Sequence, residues 1–351
     1  MLSQDHDGGN VFTPVTTEQD HPTLAQVAAA AGVSLSTASR ALRPDSPVQE
    51  ATRRRVRAAA RRLGYEPNRL ARSLRTRASS FAGVIVPDIG VGFYARAVKG
   101  AQDALERAGY EVILMNTERQ ASREAAALRT LLAHRVDGVL LATSGGFTDT
   151  PRVPVVFFDN LVAGAGAGHV AKANREGMSL LVDHVRTHGH ERIAYVGGPP
   201  HFTSGIERLE GFRAAMATAG LEVSSELLCF GDDVWSVESG REAVAGVLAS
   251  GARPTAIVGA GDTLAVGAIQ AARQLGLRVP EDVAVVSFDD PFFADLLDPP
   301  ITALARNERA LGELAASLLL HAIQTGSLGP PTEVRVPVEL IIRRSCGCSP
   351  G

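Results

Sequence analysis

Cysteine is scarce in this chain. Its 351 residues hold three, Cys229, Cys346 and Cys348, too few and too unevenly spaced to frame a fold with disulfides. No uncharged apolar run reaches the roughly 18 residues that a membrane-spanning helix needs. The basic-then-apolar opening of a secretory leader is also missing, because residues 1–22 are polar and acidic. A cytoplasmic protein with a disordered tail over 1–22 is expected. Catalytic signatures are absent too. No nucleophile sits beside a base, and Gly259-Ala260-Gly261 fails as a dinucleotide fingerprint because its third glycine would fall at Leu264. His184, His188 and His190 include an i, i+4 spacing without a metalloprotease glutamate, and read as turn or surface histidines. Cys346-Gly347-Cys348 has no second cysteine pair and reads as reduced thiols. Neither an enzyme, nor a metal, nor a cofactor is expected.

Lysine is missing from residues 23–80, where arginine supplies the positive charge. Twelve arginines against Asp45, Glu50 and Glu66 give this segment +9, while residues 1–22 carry −4 and residues 81–351 carry −8, leaving the whole chain at −3. A basic module joined to an acidic body predicts a polyanionic partner for one end only. The same segment has helical punctuation. Thr23 with Gln26 forms a capping box ahead of a helix over Leu24 to Ala31. Gly32 makes the turn, Val33 points inward, and Ser34 caps a second helix, Leu35 to Leu42. Two helices joined by a short glycine turn make a helix-turn-helix, whose second helix enters the major groove. Leu35, Ser36, Thr37 and Arg40 then face the bases. Arg40 either makes a bidentate contact to guanine, worth about 1–3 kcal/mol of discrimination, or clamps a phosphate. Ser34 and Ser39 suit backbone phosphates. A third helix spans Gln49 to Leu63 with Val56, Ala60 and Leu63 on its inner face, and Gly64 ends it. Asn68 caps a further helix too short to be stable alone.

From Phe81 onward, short apolar runs alternate with helical patterns. Strands are expected at 83–86, 111–115, 138–142, 155–158, 192–196, 256–258 and 283–288, and helices at 95–108, 122–134, 206–219, 237–250 and 263–275. Gly164-Ala165-Gly166-Ala167-Gly168 reads as a loop. Such alternation predicts parallel sheets wrapped by helices, with a ligand cleft at the carboxyl ends of the strands.

Leu24-Ala25-Gln26-Val27-Ala28 through Val33-Ser34, with Thr37-Ala38-Ser39-Arg40-Ala41-Leu42, resembles the headpiece signature of the lac repressor (LacI/GalR-type) family of bacterial transcription regulators. Leu63-Gly64-Tyr65-Glu66-Pro67-Asn68 with Ala71-Arg72-Ser73-Leu74 resembles that family's hinge. The likeness continues through Gly189-His190-Glu191-Arg192-Ile193-Ala194-Tyr195-Val196 and Val279-Pro280-Glu281-Asp282-Val283. It implies an all-α helix-turn-helix headpiece over 23–66 and a hinge over 67–80. It further implies a two-lobed α/β domain over 81–345, periplasmic-binding-protein-like with Rossmann-like parallel sheets, followed by a tail over 346–351. The function implied is that of a homodimeric repressor on a palindromic operator in double-stranded DNA, controlled by a small effector, a sugar or sugar derivative. A binding protein whose headpiece does not read sequence is the alternative. Asn68, Ala71 and Leu74 become hinge contacts to DNA, with Leu74 wedged into the minor groove. Effector contacts fall on Asp88, Phe93, Asp159, Arg208, Trp235 and Asp289, a set suited to a polyol: carboxylates accept hydroxyl protons, Arg208 donates a planar fork, and aromatic rings cover apolar sugar faces. The chain departs from the family at Gln49, Ala173, Gly261 and Arg306, and the extra arginine at 306 points toward an acidic or phosphorylated effector.

Overall fold

The computed structural model describes residues 22–42, 46–65, 79–145, 147, 151–160, 168–198, 202–231, 235–305, 307–327 and 332–348. The chain divides into two compact units, one up to Arg77 and one from Ala78.

The first unit has three helices, α1 (Leu24–Ala31), α2 (Leu35–Ala41) and α3 (Glu50–Leu63). Thr23 Oγ1 accepts the Gln26 amide at 3.3 Å, and Gln26 Oε1 accepts the Thr23 amide at 2.6 Å, which completes the capping box. Gly32, at φ 62°, ends α1 in the left-handed conformation that glycine adopts without a Cβ penalty. Ser34 Oγ then accepts the Thr37 amide at 3.2 Å and starts α2. Val27, Ala28, Ala31, Ala38, Ala41, Val56, Ala59 and Ala60 form the core, in which alanines let the three helices approach closely. Gln49 starts α3 without a side-chain cap, and Gly64 closes it at φ 66°. One expectation needs correction: Leu63 is 37% exposed, and Ala59 holds the inner position beside Val56 and Ala60. Leu63 is the last residue before Gly64 and lies past the end of that small-residue core. Asn68, Ala71 and Leu74 of the expected hinge lie outside the described residues.

The second unit contains two parallel sheets. The first takes β1 (Phe81–Val86), β2 (Glu111–Asn116), β3 (Gly138–Leu141), β4 (Val155–Phe158), β5 (Gly168–Lys172) and β11 (Glu333–Val336) in the order β11-β5-β4-β3-β1-β2. The second takes β6 (Ile193–Gly197), β7 (Leu228–Phe230), β8 (Ala256–Gly259), β9 (Ala284–Ser287), β10 (Thr302–Leu304) and β12 (Leu340–Ile341) in the order β12-β10-β9-β8-β6-β7, with only β12 antiparallel to its neighbour. Helices α4 (Gly92–Arg107), α5 (Ala121–Ala133) and α10 (Glu308–Thr325) pack on the first sheet. Helices α6 (Asn174–Thr187), α7 (Thr203–Thr218), α8 (Val237–Ala249) and α9 (Asp262–Gln274) pack on the second. The chain passes between the lobes after β5, after β10 and after β11, so neither lobe is a continuous stretch of sequence.

Strands β3, β4, β6, β8 and β9 are buried throughout, which explains their unbroken apolar runs. Where α4 crosses α10, a Cβ on Gly100 would lie 2.1 Å from the Arg309 carbonyl and one on Gly312 would lie 1.8 Å from the Ala97 carbonyl. Only a glycine at each of those positions permits so close a crossing. Strand β5 is hidden in the sequence: the glycine-alanine run predicts a loop ending at Gly168, yet Gly168–Lys172 forms a strand buried on every residue. His169 and Lys172 break its apolar pattern although both are buried. Helices α6 and α10 and the strands β7, β10, β11 and β12 were likewise unassigned from sequence.

Candidate functional site

The loops at the carboxyl ends of both sheets converge on a cleft of about 350 Å³. Phe93, Tyr94 and Arg96 reach it from the start of α4, Asp159 from the end of β4 and Glu308 from the start of α10. The other lobe contributes Arg208 on α7, Trp235 ahead of α8, Gly261 and Asp262 after β8, and Asp289 after β9. This is the crevice outside the strand ends that the parallel-sheet pattern predicts.

A buried charge network crosses the cleft. Lys172, the last residue of β5, donates to Asp289 at 2.7 Å and to Glu308 at 2.9 Å. Arg208 donates to Asp289 at 3.1 Å, to Asn174 at 3.0 Å and to the Ala260 carbonyl at 2.5 Å, while its guanidinium carbon lies 3.8 Å from the Phe288 ring centre. Arg208 is 4% exposed, so its guanidinium is held inside the protein. Burial opposes ionisation of Asp289, but Lys172 and then Arg208 outweigh it and hold the carboxyl at about 2. The same carboxylates, working against burial, raise the Lys172 ammonium above its usual range. Glu207 on α7 accepts from Asn174 at 2.7 Å and pairs with Arg335 of β11 at 2.6 Å, a second tie between the lobes.

Asp159 behaves differently. Burial, only partly offset by Arg208 and by the Tyr94 hydroxyl donating at 3.0 Å, lifts it to about 6. It sits at φ 66°, a backbone conformation unusual for a residue other than glycine. The neighbouring Asn160 accepts the Ser204 amide at 3.2 Å and its hydroxyl at 3.0 Å, joining the end of β4 to α7. Phe93 lies under the Lys172 ammonium, 5.2 Å from the nitrogen to the ring centre. Trp235 lies against two glycines. A Cβ on Gly198 would be 2.3 Å from the indole, and one on Gly261 would be 2.9 Å from it.

Five of the six predicted effector residues therefore share the cleft: Phe93, Asp159, Arg208, Trp235 and Asp289. Asp88 does not line it. Its carboxylate accepts the Gly90 amide at 2.9 Å and pairs with Arg119 at 3.4 Å, so it shapes the turn and aims an arginine that does line the cleft. Arg306 lies outside the described residues. Sequence reading missed Tyr94, Arg96, Asn160, Lys172, Asn174 and Glu308. The sequence signal for Lys172 is a charged residue at the end of a short run, 168–171, that a histidine interrupts and that the sequence pattern does not mark as a strand.

In the first unit, Leu35 is 54% exposed at the start of α2, with Ser36 and Arg40 exposed beside it and Thr37 and Ser39 half-buried. The Ser34 hydroxyl caps α2 and contacts Ser36 Oγ at 3.0 Å and Thr37 Oγ1 at 2.9 Å. Arg40 Nε donates to the Ser36 carbonyl at 3.3 Å, laying its side chain along the helix. Arg54, Arg55, Arg57, Arg61 and Arg62 of α3 are exposed. An exposed leucine and hydroxyls at a helix N-terminus, with unburied guanidiniums nearby, suit contact with a grooved polyanion.

The surface histidines and the free thiols meet in the structure: His184, His188, Cys346 and Cys348 form one cluster, and His190 is not part of it.

The family model described as "Bacterial regulatory proteins, lacI family" matches residues 23–68, and the periplasmic binding protein-like domain matches 182–346. The ribose operon repressor of Escherichia coli (strain K12) is 34% identical over 313 residues, spanning 87% of this chain and 94% of that protein. The transcriptional regulator CelR of Thermobifida fusca is 33% identical over 92% of this chain and 98% of its own length. Among solved structures, the lac repressor dimer bound to operator and an anti-inducer superimposes with a TM-score of 0.82 at 28% identity, covering 93% of this chain and 99% of that one. A CelR–cellobiose complex gives 0.69 at 30% identity, covering 93% of this chain and 100% of that one. Among the described residues, no helix is long and apolar enough to cross a membrane.

Proposed function

The chain belongs to the lacI family of bacterial regulatory proteins and is an effector-regulated DNA-binding repressor rather than an enzyme, and from that premise we propose that it binds a palindromic operator as a homodimer and answers to an uncharged sugar. One observation carries the sugar reading. Each arginine lining the described cleft already holds a carboxylate: Arg96 with Glu308 at 3.0 Å, Arg119 with Asp88 at 3.4 Å and Arg208 with Asp289 at 3.1 Å. A phosphate or carboxylate on the ligand would have to displace one of these partners, whereas neutral hydroxyls can donate to the same oxygens. A cleft near 350 Å³ also sits at the small end of ligand sites, which run from about 300 to 1,000 Å³. Trp235 and Phe93 offer apolar faces for a sugar ring. Two relatives, a ribose operon repressor and a regulator solved with cellobiose, point to the same ligand class.

The effector acts only through unequal affinity for two lobe arrangements. Asp289 and Arg208 on one lobe and Asp159 and Phe93 on the other are placed to be bridged by one small molecule. Segment 67–80 passes the difference to the headpiece, where Leu35, Ser36, Thr37 and Arg40 read bases and Ser34 and Ser39 hold phosphates. Asn68, Ala71 and Leu74 complete the contact. A repressor of this design works in the cytoplasm.

The test has two arms. Selection from a random duplex library at near-physiological salt yields the operator, and enrichment of a palindrome is expected; uniform, salt-sensitive retention of every sequence would refute sequence reading. A panel of neutral pentoses, hexoses and cellobiose, each beside a phosphorylated or acidic counterpart, is then screened by thermal shift and by release or retention of that operator. A neutral sugar is expected to act, and preference for the charged counterpart overturns the ligand class.

A further inference from the structure

At the far end of α6 from the cleft, two histidines meet two cysteines. His184 and His188 lie one helical turn apart, with ring centres 5.2 Å from each other. Facing them is the turn after β12, in which Gly347 stands at φ 93° between Cys346 and Cys348 and its amide donates to the Arg344 carbonyl at 3.1 Å. That turn directs both sulfurs to one side. Cys348 Sγ lies 3.1 Å from His188 Nε2 and 3.9 Å from His184 Nε2, and one ligand atom from each of the four residues falls within 4.8 Å of every other.

We propose that His184, His188, Cys346 and Cys348 bind a zinc ion that staples the segment after β12 to the end of α6. Tetrahedral zinc takes sulfur at about 2.3 Å and imidazole nitrogen at about 2.0–2.1 Å, which places neighbouring ligand atoms roughly 3.3–3.8 Å apart. The cluster needs only small side-chain shifts to reach that spacing, with its two measured contacts at 3.1 and 3.9 Å and every pair within 4.8 Å, and two thiolates with two imidazoles suit a soft, borderline cation over calcium or magnesium. Four protein ligands leave no open position, so the site is structural. Its supporting shell is in place: Thr302 Oγ1 of β10 lies 3.0 Å from Cys346 Sγ and also accepts the Arg343 amide at 2.9 Å, while Ser345 Oγ accepts the Thr302 amide at 2.8 Å. Cys346 is buried, Cys348 and His184 are half-buried and His188 is exposed, so an ion can enter from the His188 side. Binding converts two thiols to thiolates and releases two protons to solvent; no electron transfer is involved.

The full chain, without an affinity tag and kept reduced, is desalted from a weak chelator and its zinc measured, then reloaded with cobalt(II) as a spectroscopic probe. One zinc per chain is expected, and cobalt is expected to give intense visible bands of tetrahedral coordination with a near-ultraviolet thiolate charge-transfer band. Cys348→Ser is expected to weaken that charge-transfer band, His188→Ala to lower zinc retention, and Cys229→Ser to change neither. A strong chelator is expected to lower the melting temperature of the parent chain but not of a Cys348→Ser, His188→Ala double variant. Octahedral, pale cobalt with no retained zinc in the folded parent chain overturns the proposal, as does equal zinc retention by the double variant.

Discussion

The indole of Trp235 rests on Gly261, where a Cβ would come within 2.9 Å of its ring. An asparagine is common at this position in the family resembled, and its loss removes one amide from the cleft but gives Trp235 its place. Gly261→Asn is therefore predicted to displace the indole and weaken binding of the operative neutral sugar by at least about tenfold, near 1.4 kcal/mol. Calorimetry with the sugar identified by the panel measures this; unchanged affinity would show that Trp235 is not a binding surface.

Arg208 is a structural hub and, in the proposal above, also a ligand donor. Arg208→Ala is predicted to abolish the effector response. It should also lower stability by roughly 2–4 kcal/mol, because Asn174 and the Ala260 carbonyl lose a buried donor while Asp289, among the described residues, keeps Lys172 as its one cationic partner. Operator affinity without effector should persist at temperatures where the variant is folded. Denaturant titration alongside operator binding separates the two effects, and a fully responsive variant would remove Arg208 from the mechanism.

Asp159 makes the cleft sensitive to pH. Its value of about 6 lies above the ordinary carboxylate range because burial favours the neutral acid. The stability that this group contributes is thus complete below that range and is lost as pH rises through about 6. A sugar whose hydroxyls donate to the ionised carboxylate binds in the opposite sense, more tightly as pH rises through the same interval. Asp159→Asn is predicted to flatten both trends between about pH 5 and 7. Asp289, at about 2, contributes nothing to either in that window. Parallel pH profiles for the parent and the variant would contradict this assignment.

The headpiece makes a prediction about salt. The logarithm of operator affinity should fall against that of salt concentration with a slope of about −0.9 for each phosphate neutralised, and removing one exposed arginine of α3 that touches a phosphate should reduce the slope by about one. Leu74→Ala should weaken operator binding far more than binding to random duplex, because a wedge acts only on the sequence it unstacks. Equal losses on both DNAs would deny Leu74 that role.

Much of this was legible in the residues. Capping and glycine punctuation located α1, α2 and α3, and uninterrupted apolar runs located β3, β4, β6, β8 and β9. What escaped notice was burial paired with charge. His169 and Lys172 disguised β5 because a charge normally marks a surface, and only the fold shows Asp289 and Glu308 waiting on either side of the ammonium. Asp88 misled in the opposite sense, since a carboxylate after the first strand can serve a turn as well as a ligand. The histidine–cysteine cluster escaped because its halves lie on opposite sides of a long sequence gap, and each half alone is too small to be a signal.

Lys172 ends the strand from which the chain first leaves one lobe for the other, and its ammonium grips a carboxylate from the second lobe. The two lobes are consequently joined at their first crossover by an ion pair held out of water. A ligand bridging Phe93 and Trp235 would sit against that ion pair, because Phe93 lies 5.2 Å from the ammonium and Trp235 lies 5.4 Å from the Arg208 guanidinium that shares Asp289. Whatever the cleft holds and whatever holds the lobes together are thus one buried group of charges, and a change in either is felt by the other.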